Sequence, residues 1–269
     1  MAQNGVNLRS SQPQGHDCDD RVVPSAPVRP MLLRPLLVLV LLLTLGAVVA
    51  SPLRGTRDEE RPLAAAEDGE LWQRLRSSDA LWLPRVEVRD DGRRIYRLRR
   101  LAGDPPLDLT AMQALERATD PFAAERRQVH GLVDTLRHHG VLLRLGPPRR
   151  RGALAEWEPR ARVLRLRHDA LDQGHRGLAR ILNHEAIHVA QSCAAGGLRR
   201  SPQLLGIPRA LPPDLESVLA SDTYALLNDG GRELEREAFA GQGTPGLGAQ
   251  LIRRHCRPAA PAAPPPAAG

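Results

Sequence analysis

Hydrophobic positions recur along this chain with two periods, every second residue in some segments and about every 3.6 residues in others. Residues 85–98 alternate around an Asp-Gly pair, which predicts a β-hairpin. The residues expected to face inward are Val86, Val88, Ile95 and Leu98. Further strands are predicted at residues 141–145, 153–158 and 162–167. Arginine alternates with apolar residues in the last of these, so that strand is expected at an exposed sheet edge.

The helical period is clearest in residues 120–140. Asp120 is the expected N-cap, Pro121 the first helical residue and Gly140 the stop. The residues expected to face the core are Phe122, Val129, Val133 and Leu136. Further helices are predicted at residues 174–193, 212–227, 232–240 and 247–256. This mixture of strands and helices predicts an α+β domain with a small antiparallel or mixed sheet.

The ends of the chain differ in composition from its middle. Residues 31–51 contain an uncharged apolar run from Pro35 to Ala50 that follows Arg29 and Arg34, the pattern of a signal peptide or a membrane anchor. We therefore expect export to the periplasm or cell envelope, with membrane association through residues 31–51 if they are not cleaved. The other segments are expected to be a disordered or cytoplasmic extension (1–30), a linker (52–68), the folded domain (69–256) and a disordered Pro/Ala tail (257–269).

The positions of the cysteines agree with export. Cys18 precedes the apolar segment, which leaves Cys193 and Cys256 as an even pair in the exported domain. Such a pair predicts a disulfide. Two unpaired buried thiols are the alternative.

The net charge says little about partners. The formal charge is +7, and all 38 basic residues are arginine. These arginines are spread along the chain and often stand beside Asp or Glu, with no basic motif interleaved with aromatic residues. We therefore expect no nucleic-acid partner.

The strongest chemical pattern is formed by His184, Glu185 and His188, a His-Glu-x-x-His sequence inside a predicted helix. On a helix the two histidines lie about 40° apart around the axis and one turn apart along it. The apolar residues of the same helix, Leu178, Leu182 and Val189, lie about 120° to 160° away from His184. Two imidazoles can thus bind one Zn²⁺ while Glu185, which does not bind it, serves as the general base.

The third ligand must come from elsewhere in the chain, because a catalytic zinc usually takes three protein ligands and leaves a fourth position for water. The same helix offers no third histidine, since positions 191 and 194 are Gln and Ala. A later predicted helix carries Glu-Leu-Glu-Arg-Glu at 233–237. Glu235 is the first candidate for the third ligand and Glu237 the second.

The stretch His-Glu-Ala-Ile-His, followed on a later helix by Glu-x-Glu-Ala, resembles the gluzincin clan of zinc metallopeptidases over about residues 140–245. The resemblance implies a minimal zincin-like domain, peptidase activity, Zn²⁺ as the cofactor and Glu235 as the ligand. In that clan the ligand Glu is commonly followed four residues later by Asp or Asn, which orients a zinc-bound histidine. Position 239 here is Phe, which predicts either a substitute residue or weaker metal binding. Residues 184–193 are also similar to small exported bacterial proteins, some of them cyanobacterial.

Several neighbouring residues allow two interpretations. Gln191 lies about 20° from His184 around the helix and either forms a hydrogen bond in the cleft or faces solvent. Tyr224 either stabilises an oxyanion or belongs to the core. Cys193 lies about 180° from His184, which excludes it as a ligand. The other histidines are expected at helix ends or on the surface: His138, His139, His168, His175 and His255.

Three hypotheses follow from these patterns. The first is a zinc-dependent peptidase of the bacterial cell envelope that acts on a peptide or protein substrate. The second is an envelope protein that binds zinc at the same site as a non-catalytic scaffold or interaction module. The third is a helix whose histidines bind no metal.

Overall fold

The computed structural model describes residues 60–63 and 69–258. The chain divides into two units, Met1–Gly55 and Thr56–Gly269, and all of the described residues belong to the second. The predicted extension, the signal or anchor segment, most of the linker and nearly all of the Pro/Ala tail lie outside the described residues. In the part that is described, no helix is both long enough and apolar enough to cross a bilayer.

The described part of the chain contains both helices and strands, and its last four helices follow one another after the final strand. The helices are α1 (Gly69–Asp79), α2 (Leu109–Arg117), α3 (Ala123–His138), α4 (Gly174–Ala194), α5 (Pro213–Leu219), α6 (Asp229–Gln242) and α7 (Leu247–His255). The strands are β1 (Arg61–Pro62), β2 (Arg85–Val88), β3 (Arg94–Arg97), β4 (Leu142–Leu145), β5 (Ala155–Glu158) and β6 (Val163–Leu166). Short 3₁₀ turns cover Ala80–Trp82, His168–Gln173 and Asp222–Tyr224. The α+β class with a small mixed sheet is confirmed.

The larger sheet has the strand order β1-β4-β6-β5, in which β4 and β6 are parallel and the other pairs antiparallel. The prediction that residues 162–167 form an edge strand is wrong, because β6 lies between two neighbours. Arg165 on β6 is tolerated there since it pairs with Glu60 at 2.7 Å and with Glu158 of β5. Residues 61–62, inside the predicted linker, pair with β4, so the sheet begins before position 69.

The predicted hairpin is present as a separate two-stranded sheet of β2 and β3. Gly92 occupies the turn with a φ of 76°, which a residue with a side chain adopts only rarely. Val86 and Ile95 are half-buried, but Val88 is 65% exposed. The inward orientation predicted for Val88 is therefore wrong, since it lies at the turn end of the hairpin, opposite Arg94.

Helix α3 follows its predicted apolar pattern but starts later than expected. All four predicted core residues are buried. The helix begins at Ala123, and its N-cap position is Phe122. Asp120 does not cap it, because its carboxylate instead accepts from the guanidinium of Arg126.

Helix α4 is the centre of the domain. It packs against α1, α3, α6 and α7, and its residue Ser192 accepts a 2.9 Å hydrogen bond from Trp157 of β5. The predicted apolar residues Leu178, Leu182 and Val189 are all buried. Most other side chains of this helix are buried as well, so both of its faces meet protein.

Asn183 sets the position of α6 and α7 against α4. Its amide nitrogen donates to the carbonyl oxygens of Gln242 and Thr244, both at 2.9 Å. Its amide oxygen accepts from the backbone N–H of Gly248 at 2.7 Å. A Cβ at Gly248 would lie 2.6 Å from the Cβ of Ala186, so this close approach requires glycine. The residue before His184 thus fixes the elements that follow the Glu-bearing helix.

The predicted disulfide between Cys193 and Cys256 is present, with the two Cα atoms 5.0 Å apart. It joins the end of α4 to the residue that follows α7, across 63 positions of sequence. A crosslink closing a loop of this length stabilises a fold by about 2–4 kcal/mol, mainly by restricting the unfolded chain. A disulfide is consistent with an exported protein.

Candidate metal centre

The structure brings His184 and His188 of α4 together with Glu235 of α6. The two Nε2 atoms lie 3.1 Å apart. The Oε2 atom of Glu235 lies 3.2 Å from Nε2 of His184 and 3.4 Å from Nε2 of His188. All three residues are buried, and one ligand atom from each lies within 4.8 Å of the others. These residues form a possible metal site.

The donor set suits a divalent transition metal. Two imidazole nitrogens and one carboxylate oxygen are the ligands that zinc takes in catalytic sites, where a fourth position stays open. The same donors also suit other divalent metals, because affinity follows ligand type and geometry together. The site therefore fits a borderline cation and does not by itself identify the element.

The three groups also act on each other's protonation. Burial by itself lowers the pKa of His188, but the Glu235 carboxylate overcomes this and raises the pKa to about 9. Burial by itself raises the pKa of Glu235, but His188 and His184 bring it well below its ordinary range. The cluster thus contains a buried, negatively charged carboxylate. Either a proton on an imidazole or a metal cation can balance its charge.

Arg150 holds the other oxygen of Glu235. It lies in the loop between β4 and β5, and its guanidinium donates to Oε1, which leaves Oε2 facing the two imidazoles. Burial lowers the pKa of Arg150, but the charge of Glu235 outweighs this and raises it. Sequence reasoning missed Arg150 because it stands in a run of three arginines that nothing in the sequence distinguishes from one another.

Glu185 is buried beside the possible metal site, with 6% of its surface exposed. Burial raises the pKa of its carboxyl, while the neighbouring His184 and His188 partly oppose this and Glu235 adds to it. The side chain is therefore close enough to feel the charges of all three candidate ligands. A buried carboxyl with a raised pKa is a common feature of groups that exchange protons.

Glu237, the second candidate for the ligand, faces a different direction from Glu235. Its side chain is fully buried, and its two oxygens accept from the backbone N–H groups of Leu205, Gly206 and Ile207 at 2.7 to 3.1 Å. Its Oε2 atom also accepts from Nε2 of Gln191 at 2.9 Å. Glu237 therefore contacts Gln191 and the 205–207 backbone and is not grouped with the histidines.

Gln191 connects Glu237 to His188. Its Oε1 atom accepts from Nδ1 of His188 at 2.8 Å, an assignment that follows from the donation of Nε2 to Glu237. With Nδ1 donating to Gln191, Nε2 is the ring nitrogen that faces Glu235, and once deprotonated it offers its lone pair to a cation at that place. Of the two interpretations of Gln191, the structure shows a buried hydrogen-bonding residue.

Replacing Gln191 with leucine is expected to weaken metal binding by about 10–100-fold, because partners that orient a ligand contribute on this scale. Competition with a chromophoric zinc chelator measures the affinity, and circular dichroism checks the fold. Gln250→Leu makes the same chemical change at an exposed position of α7 and should leave the affinity unchanged. Equal affinities in the two variants would show that Gln191 does not orient His188.

Phe239 occupies the position where the resembled clan commonly has Asp or Asn. Its ring packs against His184 with 4.7 Å between centroids. Nδ1 of His184 is buried and has no hydrogen-bond partner within the described part of the chain. One imidazole is therefore oriented by Gln191, and the other is held by aromatic packing.

Tyr224 is half-buried between a small apolar cluster and Arg150. Its ring contacts Phe239, with 5.6 Å between centroids, beside the small apolar cluster of Leu215 and Leu219. The guanidinium carbon of Arg150 lies 5.4 Å from the ring centroid. Burial and the charges of Glu235 and Glu185 raise the pKa of its hydroxyl. The predicted helix 212–227 ends at Leu219, so Tyr224 lies in a 3₁₀ turn.

Two other histidines stand at helix ends, as expected, and are buried there. His139 stands at the end of α3 and is buried, with Nδ1 2.8 Å from the carbonyl oxygen of Thr135. His175 is fully buried near the start of α4, where its Nδ1 lies 2.8 Å from a carboxylate oxygen of Asp79. The helix-end position expected for each is confirmed, and the burial of both is an additional finding.

Comparison of this chain with protein-family models, curated proteins and solved structures finds no match. Its function is therefore inferred from its own residues and their geometry.

Proposed function

We propose that this chain is a zinc-dependent peptidase of the bacterial cell envelope, built on a minimal zincin-like domain. The observation that supports it most is the convergence of buried His184, His188 and Glu235 beside a buried Glu185. The His-Glu-x-x-His spacing and the Glu on a following helix agree with the resemblance to gluzincins. Nε2 of each histidine and Oε2 of Glu235 are the atoms that would hold the ion.

The mechanism assigns separate tasks to the ion and to the side chains. A bound zinc ion supplies Lewis-acid activation of a water molecule and of the substrate carbonyl. Glu185 accepts a proton from the attacking water as the new C–O bond forms. The same carboxyl then returns that proton to the leaving amine nitrogen as the peptide C–N bond breaks. Its raised pKa suits it to both steps.

Arg150 and Tyr224 lie on one side of the site and are hydrogen-bond donors. Arg150 keeps Glu235 in position and carries a positive charge that is close enough to Glu185 to affect its pKa. Donors near a carbonyl that gains negative charge lower the barrier to attack. We assign Arg150 to positioning Glu235 and Tyr224 to stabilising the oxyanion.

The proposed location determines which substrates the enzyme meets. The predicted signal or anchor segment and the disulfide both favour a compartment outside the cytoplasm. The substrate is accordingly a peptide or protein of the periplasm or envelope, and no nucleic acid is involved. Residues 31–51 provide membrane association if they remain uncleaved.

Peptide cleavage by the purified full chain is the direct test. Unfolded casein and a peptide library should be cleaved by the zinc-loaded protein. A chelator should abolish cleavage, and zinc added back in equimolar amount should restore it. Elemental analysis of the same samples measures the bound metal. Metal-loaded protein that cleaves none of these substrates would contradict the peptidase assignment.

A zinc-binding scaffold is the second candidate, and Phe239 favours it. The missing Asp or Asn leaves Nδ1 of His184 without a partner among the described residues, which is expected to lower metal affinity and activity. A scaffold would bind zinc and gain thermal stability from it without cleaving peptides. The same samples separate the two candidates, and protein that binds no metal would exclude both.

A further inference from the structure

Glu185 and the three candidate metal ligands are covered by protein. None of these four residues has more than 9% of its surface exposed. Cleavage of a peptide requires its carbonyl carbon to meet the attacking water and its amide nitrogen to meet Glu185. The residues on either side of that bond need space as well. Entry of a peptide therefore requires movement of a segment that covers the site.

Two segments that are distant in sequence meet beside these buried groups. One is the β4–β5 loop, residues 146–154, which carries Arg150. The other is the connection between α5 and α6, residues 220–228, which carries Tyr224 and which we call the lid segment. The guanidinium carbon of Arg150 lies 5.4 Å from the centroid of the Tyr224 ring, so the two segments are in contact.

Each segment reaches the site through one side chain. Arg150 of the loop donates to the carboxylate of Glu235. The ring of Tyr224 in the lid segment packs against Phe239, whose ring in turn contacts His184. The loop and the lid segment therefore close one side of the site together.

Gly152 and Thr223 form a second contact between the loop and the lid segment. A Cβ at Gly152 would lie only 2.6 Å from Oγ1 of Thr223, and Gly152 has a φ of 85°. The loop is also held to the larger sheet, because the Glu156 carboxylate of β5 accepts from the backbone N–H groups of Arg149 and Arg150. The loop is therefore the fixed side of this contact.

The backbone hydrogen bonds of the lid segment are local. The N–H groups of Tyr224, Ala225 and Leu227 donate to carbonyl oxygens of residues 221–224. Most residues of the segment are exposed, and Leu226 is completely exposed. Segments with local bonds and few buried apolar contacts open at a low free energy while the core stays folded. The lid segment is therefore the side that can move.

We propose that the lid segment moves away from the β4–β5 loop to admit a peptide and then closes on it. Closure returns Tyr224 to the place where it stabilises the oxyanion, and it excludes water from the site. The opening follows from the contacts of the two segments, whereas the identity of the molecule that enters rests on the proposed function.

A reversible crosslink between positions 152 and 223 tests the lid. The Cβ that a cysteine at 152 would add lies 3.6 Å from Cβ of Thr223, and disulfides have Cβ–Cβ distances of about 3.5–4.5 Å. The double variant Gly152→Cys, Thr223→Cys should therefore form a disulfide that holds the lid segment closed. Each single variant is a control, because Gly152→Cys alone carries the same backbone strain without the crosslink.

Chemical modification of histidines in the metal-free full chain measures how often the site opens. Diethylpyrocarbonate modifies accessible imidazoles, and mass spectrometry of the digested protein gives a rate for each histidine. The crosslink should lower the rates of His184 and His188 by about tenfold or more, since modification then requires a larger unfolding event. His138 is exposed at the end of α3 and should react at the same rate in all of the variants.

Two results would overturn the lid. The first is equal rates at His184 and His188 in the crosslinked protein and the single variants, which would mean that reagents enter by another route. The second is no modification of either histidine in the wild-type chain, which would mean that the site does not open. A phosphine reductant should restore the wild-type rates in the double variant, and wild-type protein treated in the same way controls for reduction of the native disulfide.

Peptide cleavage separates failure of the lid from failure of the proposed function. The zinc-loaded crosslinked protein should not cleave peptides, and reduction should restore cleavage. If no form of the protein cleaves but the crosslink still protects His184 and His188, the lid stands and the peptidase assignment fails. Cleavage by the crosslinked protein at the rate of the single variants would contradict the lid.

Thr223→Gly tests the same contact without an engineered disulfide. Loss of the threonine side chain removes its contact with Gly152 and loosens the lid segment, so His184 and His188 should be modified about fivefold faster. His138 should again react at the wild-type rate. Unchanged rates at His184 and His188 would contradict a lid held closed by this contact, whether or not the double variant folds.

Discussion

Glu185→Gln should lower the rate of peptide cleavage by about 10²–10⁴-fold, the contribution that general acid–base catalysis usually makes. The amide has nearly the same shape as the carboxylate but cannot accept a proton from water. Zinc should stay bound, because Glu185 is not grouped with the ligands. The measurements are kcat/KM on a cleaved peptide and the zinc content of the same preparation.

Two further variants make this result specific. Glu233→Gln makes the same change on the neighbouring helix α6, at a residue that pairs with Arg209 at 2.6 Å, and should cleave at the wild-type rate. His184→Ala should lose both zinc and activity. Cleavage at the wild-type rate by the Glu185 variant would exclude Glu185 as the base, even if zinc remains essential.

The sequence was sufficient to predict the helix that carries His184 and His188. It also offered Glu235 as the first candidate for the carboxylate that lies with them. The apolar spacing of Leu178, Leu182 and Val189 set the buried side of α4, and the motif fell on its other side. The buried side of α4 and the placing of the motif depend on residues that share one helical period, so local pattern is enough to find them. Glu235 was the first of two candidates on a later helix, and the resemblance to gluzincins implied the same residue.

The partners of those residues depend on contacts between distant segments. Arg150 meets Glu235 across 85 positions of sequence, and Asp79 meets His175 across 96. The interior position of β6 likewise depends on which strands pair with it. An arginine-rich composition made the individual arginines indistinguishable, because pairing with a buried carboxylate leaves no local sequence signal. Only the folded chain shows which charge lies beside which carboxylate.

Gln191 orients one of the two histidines, although the Asp or Asn that commonly does so in the resembled clan is missing. The clan's Asp or Asn would act on one histidine from α6. Here a residue of α4 itself acts on His188, and Glu237 of α6 anchors that residue through its amide. The three backbone donors at 205–207 hold Glu237 in turn. His188 is therefore oriented by a residue of its own helix, and the loop at 205–207 stabilises that arrangement through Glu237.

Glu235→Gln should weaken zinc binding by more than about 100-fold, because it removes a ligand charge, whereas loss of an orienting partner costs about 10–100-fold. Thermal unfolding with and without zinc provides the measurement. Zinc at about 100 times its Kd adds about 2.7 kcal/mol to wild-type stability. For a domain of this size that raises Tm by about 5–10 °C. The Glu235 variant should show no such rise at the same zinc concentration.

Glu237→Gln is the matched comparison, because both glutamates are buried on α6 two positions apart. An amide at 237 brings a donor toward backbone N–H groups that need an acceptor. The free energy of unfolding of the metal-free variant should therefore fall by about 1–3 kcal/mol, which lowers its Tm. It keeps the carboxylate that faces the histidines, so zinc should still raise its Tm. If zinc raised the Tm of the Glu235 variant but not that of the Glu237 variant, Glu237 would be the ligand and Glu235 the structural residue. The mechanism would then need a different third ligand.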